Sequence, residues 1–306
     1  MMGNERAREI GRTFTIMDGK KDQGLGNGRT LPIVYIVSLA RSGSTFLQYL
    51  LSAHPGIVGL GEIGLTIREY TKPSGPSKPA LSCTCGEEQR SCPFWGPILQ
   101  ELRGMSKLEA FKLVLERFVK LFPGKVLLDS SKQFSYFKEL YIPIMEAGYL
   151  NVMPKIIFLV RDFRGWSFSI KRHLIKDGKA NLWNAGFLFN SYRWLYLNLK
   201  LFNQVKKSNV PVLFVYYENL VFDLERQLRR IYNFLDLEFA EPGVFDKAVL
   251  HELYGSRSMK SAAAKGMGVI YDADWMQEWR FLLYGPLLLP VAVFNEKYAK
   301  QTKDRL

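Results

Sequence analysis

The chain has 306 residues, 47% of them hydrophobic and 23% charged, with a net charge of +13. That length suits one large α/β domain with a sizeable core, and no run approaches the ~18 apolar residues of a membrane span. The basic balance points to an anionic partner, but no zinc-finger or aromatic RNP signature marks that partner as nucleic acid.

Residues 1–30 are polar, mixed in charge and rich in glycine, without the apolar core of a signal peptide. They read as a disordered tail before a single domain over residues 31–306. Ile33–Val37 is an apolar, β-like run that enters a tight polar turn, Ser38–Thr45. An amphipathic helix then starts near Ser44. Strand, small-residue loop and helix together make a phosphate-binding layout, because loop amides and the positive end of the helix dipole favour an anion. The nucleotide-kinase signature G-x-x-x-x-G-K-[ST] is missing. This loop has one glycine, Gly43, and its cation, Arg41, precedes it. The anion is therefore not expected to be held as ATP and magnesium are held.

An insertion over about 66–122 breaks the α/β rhythm. It carries a Pro/Ser/Gly-rich loop, Thr71–Pro79, then Cys83-Thr-Cys85-Gly and Cys92-Pro-Phe-Trp95. Three thiols fit either a structural zinc completed by one outside ligand or one disulfide with a thiol left over. Leu108, Phe111, Leu115 and Phe118 share a helical face. Lys125–Leu128, Lys155–Val160 and Val212–Tyr216 are further buried strands. A long helical pattern runs from Trp183 to Val205, and Asp223 is placed to cap a helix carrying Leu224, Leu228, Ile231 and Leu235. Phe281–Phe294, interrupted by Gly285, Pro286 and Pro290, reads as a buried C-terminal helix or an interfacial segment. Four strands alternating with helices predict an α/β fold. Its parallel sheet is flanked by helices in a P-loop NTPase-like three-layer sandwich.

Arg161 stands at the C-terminal end of one strand, where α/β sheets bind ligands. Ser169 follows two helical turns later. A guanidinium fork with a hydroxyl nearby can grip a phosphate.

The pattern A-R-S-G-S-T-F-L-x-x-L-L over Ala40–Leu51 resembles the 5′-phosphosulfate loop of the PAPS-dependent sulfotransferases. PAPS is 3′-phosphoadenosine 5′-phosphosulfate, and its spent form is adenosine 3′,5′-bisphosphate. Arg161, Asp162, Arg164 and Ser169 resemble that family's R-D-x-R-x-x-x-x-S element, with Phe163 where proline is frequent. Tyr217-Glu218-Asn219-Leu220 is similar to its Y-E-D-L element. His251–Lys260 and Ile270–Trp275 are similar to a later pair of segments, with Ser256 and Lys260 replacing the usual asparagine and arginine. The cysteine segment resembles an insertion of some microbial members.

The resemblance implies a donor site. Arg41, Ser42, Gly43, Ser44, Thr45 and Phe46 would hold the phosphosulfate, and Arg161 and Ser169 the 3′-phosphate. Tyr217 would face the adenine, with Arg257 or Lys260 closing near the 3′-phosphate. It implies Glu62 as general base, and Lys132 and Arg41 as the cations that meet charge in the transition state. His54 is expected to be structural, and Glu218 to cap or pair with a basic residue. The expected reaction moves a sulfuryl group from PAPS to a hydroxyl or amine of a carbohydrate, glycolipid, natural product or protein, with no metal required. The acceptor pocket is expected from residues 66–95, 183–194 and the C-terminal segment. A cytoplasmic location follows from the missing anchor. The alternatives are a P-loop small-molecule kinase, or a non-catalytic nucleotide-binding protein.

Overall fold

The structure is a computed structural model that describes residues 30–77, 80, 82–181, 186–241, 249–255, 271–278 and 280–301. Five strands form one sheet: β1 (Leu31–Ser38), β2 (Ile57–Gly61), β3 (Val126–Lys132), β4 (Val152–Val160) and β5 (Val212–Tyr216). Their order is β2-β3-β1-β4-β5, and every neighbouring pair is parallel. Between them run α1 (Ser44–Ser52), α2 (Ile63–Tyr70), α3 (Lys107–Leu121), α4 (Phe163–Lys176) and α5 (Phe187–Lys206), and after β5 come α6 (Tyr217–Phe222) and α7 (Leu224–Phe234). The helix α8 (Leu289–Gln301) closes the described chain.

Alternation along β1 builds both faces of the core. Ile33, Tyr35 and Val37 point to one side and Val34 and Ile36 to the other, none more than 1% exposed. The first face packs against α2, α3, α4, α5 and α8, and the second against α1, α6 and α7. The expected three layers are therefore present. Each fully buried apolar side chain contributes roughly 1.5–3 kcal/mol, which makes this double burial the main stabilising term.

Three expectations are corrected. The sheet has five strands, not four, because Ile57–Gly61 is β2. Two of its five residues are glycine, which hides it from strand propensity. Gly59 has a packing reason: a Cβ there would lie 2.4 Å from Leu250 Cδ1 and from Ser52 Oγ. Second, α1 is buried along its whole length rather than amphipathic. Third, the C-terminal segment is only partly buried. Leu288 and Val291 are inside, while Leu283, Leu287, Leu289 and Val293 are exposed.

β2 is an edge strand, and a later piece of chain lies along its outer side. Gly59 N–H donates to Val249 O at 3.0 Å and His251 N–H to Gly59 O at 2.8 Å, forming a parallel bridge between Gly59 and Leu250.

Candidate active site

Every strand delivers a candidate residue at its C-terminal end. β1 leads into Arg41, β2 into Glu62, β3 ends on Lys132, β4 leads into Arg161 and β5 into Tyr217. A parallel sheet directs all five ends to one side, so residues distant in sequence gather on one rim.

The loop after β1 is tightly formed. Arg41 has φ 71° and Gly43 has φ 92°, and no side chain caps α1 at Gly43. Trp166 Nε1 donates to Ala40 O at 2.8 Å and fixes the loop to α4. Ser42 N–H turns back to Leu39 O at 3.3 Å. The Tyr217 ring lies directly against Gly43, where a Cβ would come within 2.4 Å of Tyr217 Cδ2. Only glycine admits both the positive φ and that ring.

Arg41 and Arg161 converge. Arg41 Nε donates to Ser169 Oγ at 3.2 Å, and Arg161 Nη1 donates to Arg41 O at 3.3 Å. Burial, and then the neighbouring Arg161 charge, lower the pKa of Arg41. Arg161 is 6% exposed, its guanidinium lies 5.0 Å from the centre of the Tyr217 ring, and its Nε and Nη2 have no hydrogen-bond partner among the described residues. Its nearest anion is Asp272, at 3.6 Å from Nη2. A buried guanidinium with two donors unpaired among the described residues fits an anionic ligand.

Asp162 is not the ion partner of Arg161. It caps α4 through the Arg164 amide at 2.8 Å and binds the Arg164 side chain through Nε and Nη2 at 2.9 and 2.8 Å. Tyr216 Oη and Asn295 Nδ2 also donate to Asp162, at 3.1 and 3.0 Å. Glu218 accepts from the Asp162 amide at 3.2 and 3.1 Å, so it pairs with backbone rather than with a basic residue. Burial, reinforced by Asp162, raises the pKa of Glu218 to about 8.

On the other side of β1, Lys132 donates to Glu62 in an ion pair whose side chains are 17% and 16% exposed. Lys132, the last residue of β3, has φ 67° and lies opposite Val37 of β1, where the register of the β1–β3 pairing shifts. Glu62 stands at the start of α2 but its side chain does not cap it. Beneath the pair, fully buried Asp129 accepts from Ser131 N–H at 2.8 Å and from Tyr141 Oη at 2.7 Å. Burial raises its pKa to about 6. Ser131 Oγ in turn accepts from Gly64 N–H at 2.8 Å, locking the start of α2 against β3. The rim therefore offers an anion cradle at β1, β4 and β5 and a carboxylate–ammonium pair at β2 and β3.

Residues 32–241 match the family model described as "Sulfotransferase family". The chain belongs to the sulfotransferase family. Protein-tyrosine sulfotransferase 1 of Danio rerio is 24% identical over 246 residues, covering 74% of this chain and 58% of its own length. A Caenorhabditis briggsae relative, named provisionally for the same activity, is 23% identical over 224 residues, covering 73% of this chain and 71% of its own. Among solved structures, the sulfotransferase domain from the curacin biosynthetic pathway shares the fold. It has TM-score 0.50 and 18% identity, covering 84% of this chain and 99% of that one.

In this sulfotransferase the rim brings together Arg41, Gly43, Arg161, Ser169 and Tyr217 on the sheet's one half, and Glu62 with Lys132 on the other. Ser44, Thr45 and Phe46 form the first turn of buried α1. Arg257 and Lys260 lie outside the described residues, as does Trp183. Trp194, expected near an acceptor, is fully buried and donates from Nε1 to Arg161 O at 2.9 Å. It positions Arg161 from the core. His54 is structural: Nδ1 accepts from Gly56 N–H at 2.9 Å, and Nε2 lies 3.0 Å from Glu238 O.

Sequence reasoning missed Asp272 and Arg172, which pair with each other beside Arg161, and Asn295, which joins α8 to Asp162. The nearby Trp275 was visible as a motif, but its stacking 4.5 Å from the Arg164 guanidinium was not.

Proposed function

We propose that this sulfotransferase moves a sulfuryl group from PAPS to a hydroxyl or amine acceptor by in-line transfer, with Glu62 as general base. The observation that carries the reading is Arg161: a buried guanidinium whose Nε and Nη2 are unpaired among the described residues, linked to the Arg41 loop, beside the Tyr217 ring. Arg161 and Ser169 suit a 3′-phosphate, Tyr217 a flat base, and the loop amides with Arg41 a phosphosulfate. PAPS supplies the activated sulfuryl group; the protein supplies position and charge.

Glu62 takes the proton from the acceptor hydroxyl or amine as the acceptor–sulfur bond forms and the sulfur–oxygen bond to the 5′-phosphate breaks, releasing adenosine 3′,5′-bisphosphate. Lys132, already bonded to Glu62, balances negative charge that develops on the leaving side. Half-burial strengthens both interactions by excluding water. The relatives' names add tyrosine side chains of proteins to the carbohydrates, glycolipids and natural products to be screened as acceptors. No helix among the described residues is long and apolar enough to cross a membrane. A cytoplasmic location is part of the proposal, and cell fractionation tests it.

Calorimetric titration with adenosine 3′,5′-bisphosphate, with ADP and ATP–magnesium as controls, tests the donor class. Binding that requires the 3′-phosphate and falls in Arg161→Ala supports it. Preference for ATP–magnesium overturns it in favour of a kinase. Radiolabelled PAPS with an acceptor panel then tests turnover, and binding without turnover would leave a nucleotide-binding protein.

A further inference from the structure

We infer that Cys83, Cys85, Cys92 and His251 bind one zinc ion, and that this ion staples the segment between β2 and β3 to the segment 249–255. The four ligand atoms lie within 4.8 Å of one another. Cys92 Sγ is 3.5 Å from Cys83 Sγ and 3.4 Å from His251 Nδ1. Zinc–sulfur and zinc–nitrogen bonds of ~2.3 and ~2.0 Å in a tetrahedron place their ligands ~3.8 and ~3.5 Å apart along the edges. These two edges match a tetrahedral ion, and the 4.8 Å bound on the others leaves at most about 1 Å for the ion to draw in.

The donor set decides which ion. Three thiolates and one imidazole are soft ligands that select zinc over magnesium or calcium. Four protein ligands leave no open position, which makes the site structural rather than catalytic. A Cys83–Cys92 disulfide would use two of the four groups and leave Cys85 and His251 without a role.

The surroundings are built to hold ligands in place. Trp95 N–H donates to Cys92 Sγ at 3.4 Å, as backbone amides do around zinc-bound sulfur, and Trp95 Nε1 donates to His251 O at 2.6 Å. The Phe94 and Phe122 rings flank the imidazole with centroids at 5.9 and 5.8 Å. Cys83 and Cys92 are buried, and Gly86, with φ 94°, closes the turn after Cys85. Thr84 bridges the same two segments, accepting from Glu252 N–H at 2.8 Å and donating to Leu250 O at 2.9 Å.

The staple reaches the rim. His251 N–H is bonded to Gly59 of β2, and Glu62 follows two residues after β2's Leu60. The ion thus fixes the strand that carries Glu62, without touching it. The inference stands on the four ligands alone and does not require the sulfotransfer reading.

The test is metal analysis of the full chain purified without chelators from zinc-supplemented cells. Plasma mass spectrometry is expected to give about one zinc per chain. Cobalt(II) exchanged for zinc should show the intense visible bands of a tetrahedral thiolate site. Chelation of the wild-type protein should release the zinc, expose three reactive thiols and lower the melting temperature. Cys85→Ser and His251→Ala should lose metal, and the chelated wild type provides the same readout should either variant misfold. Zinc-free protein with no thiolate–cobalt bands would overturn the inference. So would a Cys83–Cys92 disulfide found by peptide mass mapping of protein purified under anaerobic conditions.

Discussion

Arg41 Nε donates to Ser169 Oγ across 128 residues of sequence, at 3.2 Å. The bond joins the loop after β1 to the second turn of α4, so the two halves of the proposed donor site share one contact. Ser169→Ala is expected to weaken binding of adenosine 3′,5′-bisphosphate by about tenfold, since a hydrogen bond to a charged group contributes ~1.5–3 kcal/mol. Arg41→Ala should cost more, and the double variant less than the sum, as calorimetry on all four proteins would read. Strict additivity would show that the two side chains act independently.

Glu62→Gln keeps the shape of the pair with Lys132 but cannot take a proton. A drop of about 10²–10⁴ in kcat is expected, with binding of the bisphosphate product unchanged. Lys132→Ala should also lower kcat, and it leaves a half-buried carboxylate without its ammonium. Steady-state rates with PAPS and an acceptor from the screen decide; near-normal turnover in Glu62→Gln would remove Glu62 as the base.

Glu218 gives the fold a pH dependence. Burial and the nearby Asp162 hold its folded pKa at about 8, well above the ordinary carboxylate value of about 4.5. Below the unfolded value both states are protonated and Glu218 contributes no difference. As pH rises toward 8 the unfolded chain ionises first, so the folded state loses relative stability. Glu218→Gln removes that loss, and its glutamine oxygen can still accept from the Asp162 amide. Urea unfolding should therefore show the variant gaining on wild type between pH 5.5 and 8.5. A gap that is constant with pH would mean that Glu218 is ionised throughout.

Gly43→Ala should be severe, because a Cβ would press on the Tyr217 ring at 2.4 Å with φ at 92°. Destabilisation of ~1–3 kcal/mol and loss of nucleotide binding are expected. Adding Tyr217→Ala should restore part of the melting temperature but not the binding. Recovery of both would deny Tyr217 a part in holding the base.

Asp272 stands 3.6 Å from Arg161, where it partly satisfies the guanidinium that the proposal gives to a phosphate. Asp272→Asn should tighten binding of the bisphosphate by about fivefold, consistent with ~1 kcal/mol for a partly exposed pair. ADP, which lacks the 3′-phosphate, serves as the control and should not gain. Weaker bisphosphate binding would instead make Asp272 part of the binding surface.

Four strands were legible because β1, β3, β4 and β5 each carry an apolar run. β2 was not, since the close approach of Leu250 and Ser52 demands glycine where a strand former would signal. The loop and its arginines were legible because Arg41, Gly43 and Ser169 sit within local motifs. The pairing of Glu62 with Lys132 spans 70 residues and depends on β2 lying beside β3, which no local pattern encodes. The cysteines announced an incomplete set of ligands. Their fourth member, His251, lies 159 residues from Cys92 and arrives through a bridge to the sheet edge.

That bridge has a consequence for solubility. β2 is the rim strand of a parallel sheet, and unpaired N–H and C=O groups on a rim invite strands from other molecules. Val249–His251 covers part of that rim, yet it lies beyond residue 241, where the family match stops. A chain shortened to the family boundary would keep all five strands, Glu62 and Arg161, but expose the β2 backbone. Such a fragment should self-associate through that edge, and through the core face that loses α8.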